Sequence, residues 1–314
     1  MRLFAATEID VRWNVGCRCF AVMVCLASLC VTSALPAQQA DPEPKYRTVE
    51  LRTNDGLKLR AFYFPSDKGK QAKTVLLVHE WRGQASPYRK LVEALQKSGC
   101  AVLVPDYRGH GGSRKQINNR GQLEEMDAAQ MSKSDIEKII KVDLEKAKAF
   151  LKDENNKENL NLNALVVVGI GEGCVMAAHW AARDWSFQTV GRLKRGQDVK
   201  GLVFISPAKQ VKGVPVDAML SSRSVLLHLP IMIVSGAESA NAEEAERIAK
   251  RVEAAKKKLQ RESKVKGFEF KRYKTGLNGV SLVTDISAVI PAITKFIETE
   301  IKVSDRQNPW LKRE

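Results

Sequence analysis

Four histidines, at 79, 110, 179 and 228, bound the proton-transfer chemistry open to this chain, because an imidazole is the commonest base beside a hydroxyl or thiol nucleophile. His79 follows the apolar run Val75–Val78, and His110 follows shortly after Val102–Val104. Both positions suit loop starts held by hydrogen bonds better than they suit catalysis. Ser113 stands near His110, and the pair is one candidate catalytic set. Cys174 is another, since it opens an apolar helical stretch whose positive end would lower a thiol pKa. His179, however, lies about 140° around that helix from Cys174, so the spacing favours a packed thiol. No His, Cys and carboxylate cluster has the spacing of metal ligands, and neither a metal nor a cofactor is expected.

Behind these residues runs a pattern of strands and helices. An alternating stretch at Arg47–Thr53, the turn Asn54-Asp55-Gly56 and a second stretch at Leu57–Phe64 predict an antiparallel hairpin. Short apolar strands then alternate with amphipathic helices. The strands are Thr74–His79, Ala101–Asp106, Ala164–Gly169, Val199–Ser206, Ile231–Ser235 and Phe268–Tyr273. The helices fall near Tyr88–Ser98, Ser134–Lys152, Gly173–Arg183, Ala242–Arg261 and Ile286–Ile301. Parallel strands need crossovers, so the reading is an α/β fold with an eight-stranded, mostly parallel sheet and helices on both faces. The 314 residues, 44% hydrophobic and 28% charged, exclude a disordered or collagen-like chain.

The opening segment is set apart from that pattern. Arg2, Arg12 and Arg18 precede the apolar run Phe20–Val31 and the small residues near Ala37, which is the order of a secretory signal peptide over 1–37. An uncleaved N-terminal membrane anchor is the alternative; if cleavage occurs, no membrane span is expected. Residues 38–45 read as a linker, 46–301 as the domain and 302–314 as a C-terminal tail. Four of the six cysteines fall in the signal segment, leaving Cys100 and Cys174, too few for a disulfide framework.

The stretches Val75-Leu76-Leu77-Val78-His79-Glu80-Trp81-Arg82-Gly83 and Val102-Leu103-Val104-Pro105-Asp106-Tyr107-Arg108-Gly109-His110-Gly111-Gly112-Ser113 resemble the third and fourth strands, with their loops, of the α/β-hydrolase superfamily. The His-Glu-Trp start is closest to the dienelactone-hydrolase branch, and the second stretch has the general peptidase and esterase form. The resemblance covers about residues 46–301. It implies a nucleophile elbow, Gly-x-Nu-x-Gly, after the next strand, where the chain reads Gly169-Ile170-Gly171-Glu172-Gly173. The nucleophile position is Gly171. The acid position after the seventh strand is Ser239, with Glu238 one residue away, and the histidine position after the eighth is Asn278. Oxyanion amides are expected at Glu172 and at Glu80 or Trp81, where the two carboxylates would oppose a developing oxyanion. The gap Pro207–Pro230 is too short for a large lid. Tyr107–Lys133 is longer than usual and is expected to shape the pocket mouth.

These residues point to an exported, periplasmic or extracellular, catalytically inactive binding or scaffold protein. One alternative is an ester or amide hydrolase with displaced residues, drawn from Cys174, Ser113 with His110, or Glu238. Another is a basic envelope protein that binds acidic polymer. The chain's formal net charge is +15, and the basic excess is densest between Lys250 and Lys274, with eleven Lys or Arg against three Glu, where a solvated outer helix and edge strand are the simpler reading. Aromatics able to stack bases are sparse there, so specific nucleic-acid binding is not expected. A small molecule or an acidic polymer remains the open ligand class.

Overall fold

Buried apolar runs set the architecture. The computed structural model describes residues 46–117, 121–188, 194–261 and 265–314; the expected signal peptide (1–37) and linker (38–45) lie outside the described residues. The main sheet contains β1 (Arg47–Arg52), β2 (Lys58–Phe64), β3 (Lys73–Val78), β4 (Cys100–Pro105), β5 (Asn161–Ile170), β6 (Val199–Ile205), β7 (Ile231–Gly236) and β8 (Phe268–Tyr273). Their spatial order is β1-β2-β4-β3-β5-β6-β7-β8. The first two strands pair antiparallel, β2 pairs antiparallel with β4, and the rest run parallel. In β5 every residue is buried, as a central strand covered on both faces requires.

The helices are α1 (Arg89–Lys97), α2 (Lys133–Lys138), α3 (Leu144–Asn156), α4 (Gly173–Asp184), α5 (Arg223–His228), α6 (Ala242–Gln260), α7 (Gly279–Asp285) and α8 (Val289–Glu300). One face of the sheet packs against α3, α4 and α6 through Leu151, Val175, Met176 and Ile248. The other packs against α1, α7 and α8 through Leu91, Leu282 and Ile293. Alternate residues of β3 feed the two cores, Leu76 and Val78 one, Val75 and Leu77 the other, as the period of two demands.

Three local differences from the sequence expectation have physical causes. The helix expected at Ser134–Lys152 is α2 and α3 joined by a π turn at Ile139–Asp143. That turn places Asp143 where it accepts from the Arg108 backbone N–H and guanidinium, a tertiary pairing that helical periodicity does not report. The helix expected at Ile286–Ile301 is preceded by α7, whose seven residues follow Asn278 as N-cap and are too few for a periodic signal. The long segment after β4 folds partly into a ribbon, Lys115–Ile117 against Leu123–Glu125. That ribbon lines a cleft of about 530 Å³ over β1 and β2. Within Pro207–Pro230 lie a two-residue ribbon, a 3-10 turn at Val216–Ser221 and α5, with no large lid.

Residues 302–314 form neither helix nor strand, yet they dock on the domain. Arg313 is buried and its guanidinium pairs with Asp198.

Candidate active site

The loops at the carboxyl ends of β3, β5, β6, β7 and β8 converge on one edge of the sheet, where open α/β folds place their ligands. The turn from β5 into α4 is built by three glycines. A Cβ at Gly169 would lie 2.7 Å from Cys174 Cα, and one at Gly173 would lie 2.2 Å from Val78 O. Neither position has room for a side chain. Gly171 has φ of +55°, a left-handed conformation that glycine adopts freely. Its N–H donates to Ile205 O and its C=O accepts from Ala208 N–H, which ties the turn to the end of β6.

Glu80 fills the space in front of that turn. A Cβ on Gly171 would lie 3.1 Å from Glu80 Cβ, and one on Gly279 would lie 2.3 Å from Glu80 Oε2. Gly279 also has a positive φ, +53°. The Glu80 side chain therefore rests in a cradle of two residues that lack Cβ atoms, and Gly171 and the start of α7 face each other across it. Its carboxylate accepts from the Val280 N–H; burial, and then the nearby Glu172 charge, push its pKa above the usual carboxylate value.

Glu172 occupies the other half of the site. Its Oε2 accepts from the Trp81 N–H at 3.3 Å. The amide expected to face an oxyanion thus already holds a carboxylate of the same chain. The two acidic side chains are partly exposed, whereas Gly171 is buried.

Local structure holds the Ser239 side chain and the Asn278 backbone, while Asn278 Oδ1 is buried without a hydrogen-bond partner. Ser239 is 7% exposed and its hydroxyl donates to Gly236 O. A Cβ on Gly236 would lie 2.5 Å from Leu277 O, so the loop carrying Asn278 presses on the end of β7. The Asn278 N–H donates to Ser281 Oγ, whose hydroxyl donates back to Asn278 O. Ser206, read from the sequence only as the end of a strand, completes the edge: its hydroxyl accepts from Gly279 N–H and its carbonyl from Asn241 Nδ2. No local motif announces it, because its partners lie far away in the chain.

The other candidates stand elsewhere. Ser113 is fully buried, donates to Asp106 O and accepts from the Arg60 N–H. His110 Nδ1 donates to Arg108 O, and burial lowers its pKa to about 3. His79 Nδ1 donates to Glu80 O, and burial lowers its pKa to about 4. Each ring leaves a buried Nε2 without a hydrogen-bond partner, that of His79 lying 3.9 Å from Asp106 Oδ1. They pack with Tyr107, whose ring stacks on His79 at 4.2 Å and whose hydroxyl donates to His79 O and Glu80 O. Trp81 meets His110 edge-on at 4.5 Å, and this is how the long segment after β4 reaches the site. Cys174 is fully buried, its thiol donates to Ile205 O, and burial drives its pKa far up. Among the described residues no hydrogen bond or ion pair holds the Glu238 carboxylate; its N–H donates to Thr275 O. Among the described residues no group of three or more His, Cys, Asp or Glu could hold a metal.

The basic stretch is substantially paired. Lys250 and Arg272 share Glu246, Arg251 reaches Asp217, and Lys271 meets Glu269. Lys256 is buried with its ammonium on Leu229 O.

Strand order, crossovers and the site at the carboxyl edge define an α/β-hydrolase fold. Residues 69–267 match the serine aminopeptidase, S33 family (Hydrolase_4); the chain belongs to it. Among solved structures it resembles the Pyrococcus furiosus esterase Pf2001, with a TM-score of 0.55 and 18% identity over 82% of this chain and 93% of that one. It also resembles a dienelactone hydrolase from Anabaena variabilis, with a TM-score of 0.52 and 13% identity over 82% and 97%. An uncharacterized Mycobacterium tuberculosis protein, Rv2307c, is 36% identical over 87 residues. That alignment spans 28% of this chain and 31% of the relative.

Proposed function

We propose that this member of the hydrolase family is exported and works by binding or scaffolding, without acyl-transfer catalysis. The observation that carries the proposal is the carboxylate filling of the site: Glu80 sits over Gly171, and Glu172 takes the Trp81 N–H. A nucleophile needs an attacking atom, a base to receive its proton and amides to receive the oxyanion. Gly171 has no attacking atom, Ser239 and Asn278 have no basic group, and one of the expected oxyanion amides, the Trp81 N–H, is taken. The displaced sets have no better support, because Ser113, His110 and Cys174 are buried and committed to structural bonds. Two carboxylates at the mouth favour a neutral or amine-bearing small molecule over an anion.

Treatment of purified protein with a fluorophosphonate and with short acyl esters tests the reading. Neither labelling nor turnover is expected. Stoichiometric labelling of a serine, accompanied by loss of a measured turnover, would replace the proposal with an enzyme whose catalytic set has moved.

A further inference from the structure

The opposite end of the sheet, at the amino end of β5, holds a second constructed site. Its occupant is the chain's own arm. Asn161 and Asn163 donate their side-chain amides to the carbonyls of Asn308 and Pro309, each at 2.9 Å. Asn155 donates to Leu311 O at 2.9 Å. Asn156 donates to Arg313 O at 2.6 Å and accepts from the Arg313 N–H at 2.8 Å. Four asparagine side chains thus read the backbone of one irregular segment, a pattern indifferent to the side chains of that segment.

Selectivity comes from two side chains of the arm. The Arg313 guanidinium enters a buried pocket and forks onto both oxygens of Asp198, with a further bond to Lys194 O. This two-pronged geometry suits arginine and not lysine. Trp310 lies under the Lys70 ammonium, 4.4 Å from the ring centre.

The pocket does not need the arm for charge balance. Asp184 and Asp198 are matched by Lys148, at 2.6 and 2.9 Å, and by Lys194, at 3.0 Å. Arg313 is a third cation on two carboxylates. Withdrawing it leaves no unpaired buried charge of the kind that makes breaking an interior ion pair costly.

We propose that this groove is a peptide-binding site for segments of the pattern Trp-x-x-Arg, filled here in cis by residues 308–313 and able to take the same segment in trans from a second copy. The site is separate from the Gly171 edge and does not depend on whether that edge is catalytic.

Fluorescence anisotropy with a labelled synthetic peptide of residues 302–314 and the full-length protein tests this. In the unaltered chain the tethered arm competes at a high effective concentration, so the peptide binds weakly. In full-length Arg313→Ala the resident arm has lost its anchor, and binding at least tenfold tighter than to the unaltered chain is expected. A peptide with alanine in place of its arginine should not bind either protein. As a second reading, hydrogen exchange on the unaltered chain should show the amides of 310–313 opening while those of β5 stay protected. A folded Arg313→Ala protein that binds no peptide overturns the proposal. So does an arm that exchanges only together with β5, or an Arg313→Ala chain that cannot fold, since either makes the arm part of the fold instead of a ligand.

Discussion

A single residue type at position 171 decides what the β5–α4 turn can do. Glycine tolerates φ of +55° without a Cβ, whereas serine there would bear steric strain of about 1 to 3 kcal/mol and would crowd Glu80, 3.1 Å from the added atom. Gly171→Ser is therefore expected to be destabilised by that order, measured by urea unfolding, and to remain inactive toward acyl esters. The triple change Gly171→Ser, Ser239→Asp, Asn278→His supplies the missing groups but leaves Glu172 on the Trp81 N–H. Weak hydrolysis is expected once Glu172→Ala is added, since a freed oxyanion donor contributes about 10² to 10³ in rate. A single mutant that turned over well above background would reveal a base that neither Ser239 nor Asn278 provides. Cys174 gives a simpler check. Its thiol is buried and its pKa is raised, so it should resist a thiol reagent in the native protein and react after denaturation.

At the scale of elements, the segment after β4 acts as a bracket. Asp106 accepts from the Arg60 side chain and from the N–H groups of Ala85 and Gly112. Arg108 joins Asp143 of the π turn to Asp55 of the β1–β2 turn. Arg108→Ala strands a fully buried Asp143 carboxylate and should cost about 3 to 5 kcal/mol, read as a lower midpoint in urea.

The imidazoles of the same bracket give the fold a pH dependence. His79 and His110 are held neutral, with pKa values of about 4 and about 3 against a usual value of 6.5. The unfolded chain takes up these protons near pH 6.5 while the folded chain does not. Their contribution is therefore present above that pH and is lost progressively as pH falls toward 4. Unfolding measured at pH 7.5 and 5 should show the loss, and a folded His110→Gln variant should show a shallower one. Equal slopes in the two proteins would dismiss the assignment to His110. Raised carboxyl groups such as Glu80 and Asp143 act with the opposite sign, so the difference between the two proteins is the informative quantity.

For the molecule as a whole, export is the property that the N-terminal segment predicts. Amino-terminal sequencing of protein recovered outside the cytoplasm should begin near Gln38 or Asp41. Recovery of Met1 would favour an anchored form. The eight-stranded, mostly parallel sheet was legible in the sequence because strands buried on both faces are short apolar runs and the helices between them carry a 3.6-residue period; the spatial order of the strands was not. Positions 171, 239 and 278 were pointed to by the family resemblance, which sets its nucleophile, acid and histidine positions in the loops after β5, β7 and β8. Tertiary structure alone decided what those positions face. Glu80 lies in the cradle of Gly171 and Gly279, Glu172 turns back onto Trp81, and four asparagines converge on the C-terminal arm. Those contacts join residues tens to hundreds of positions apart, and only the packed sheet brings them within reach. Local periodicity reports how a segment buries its own apolar face; it carries no information about which distant polar group will meet it there.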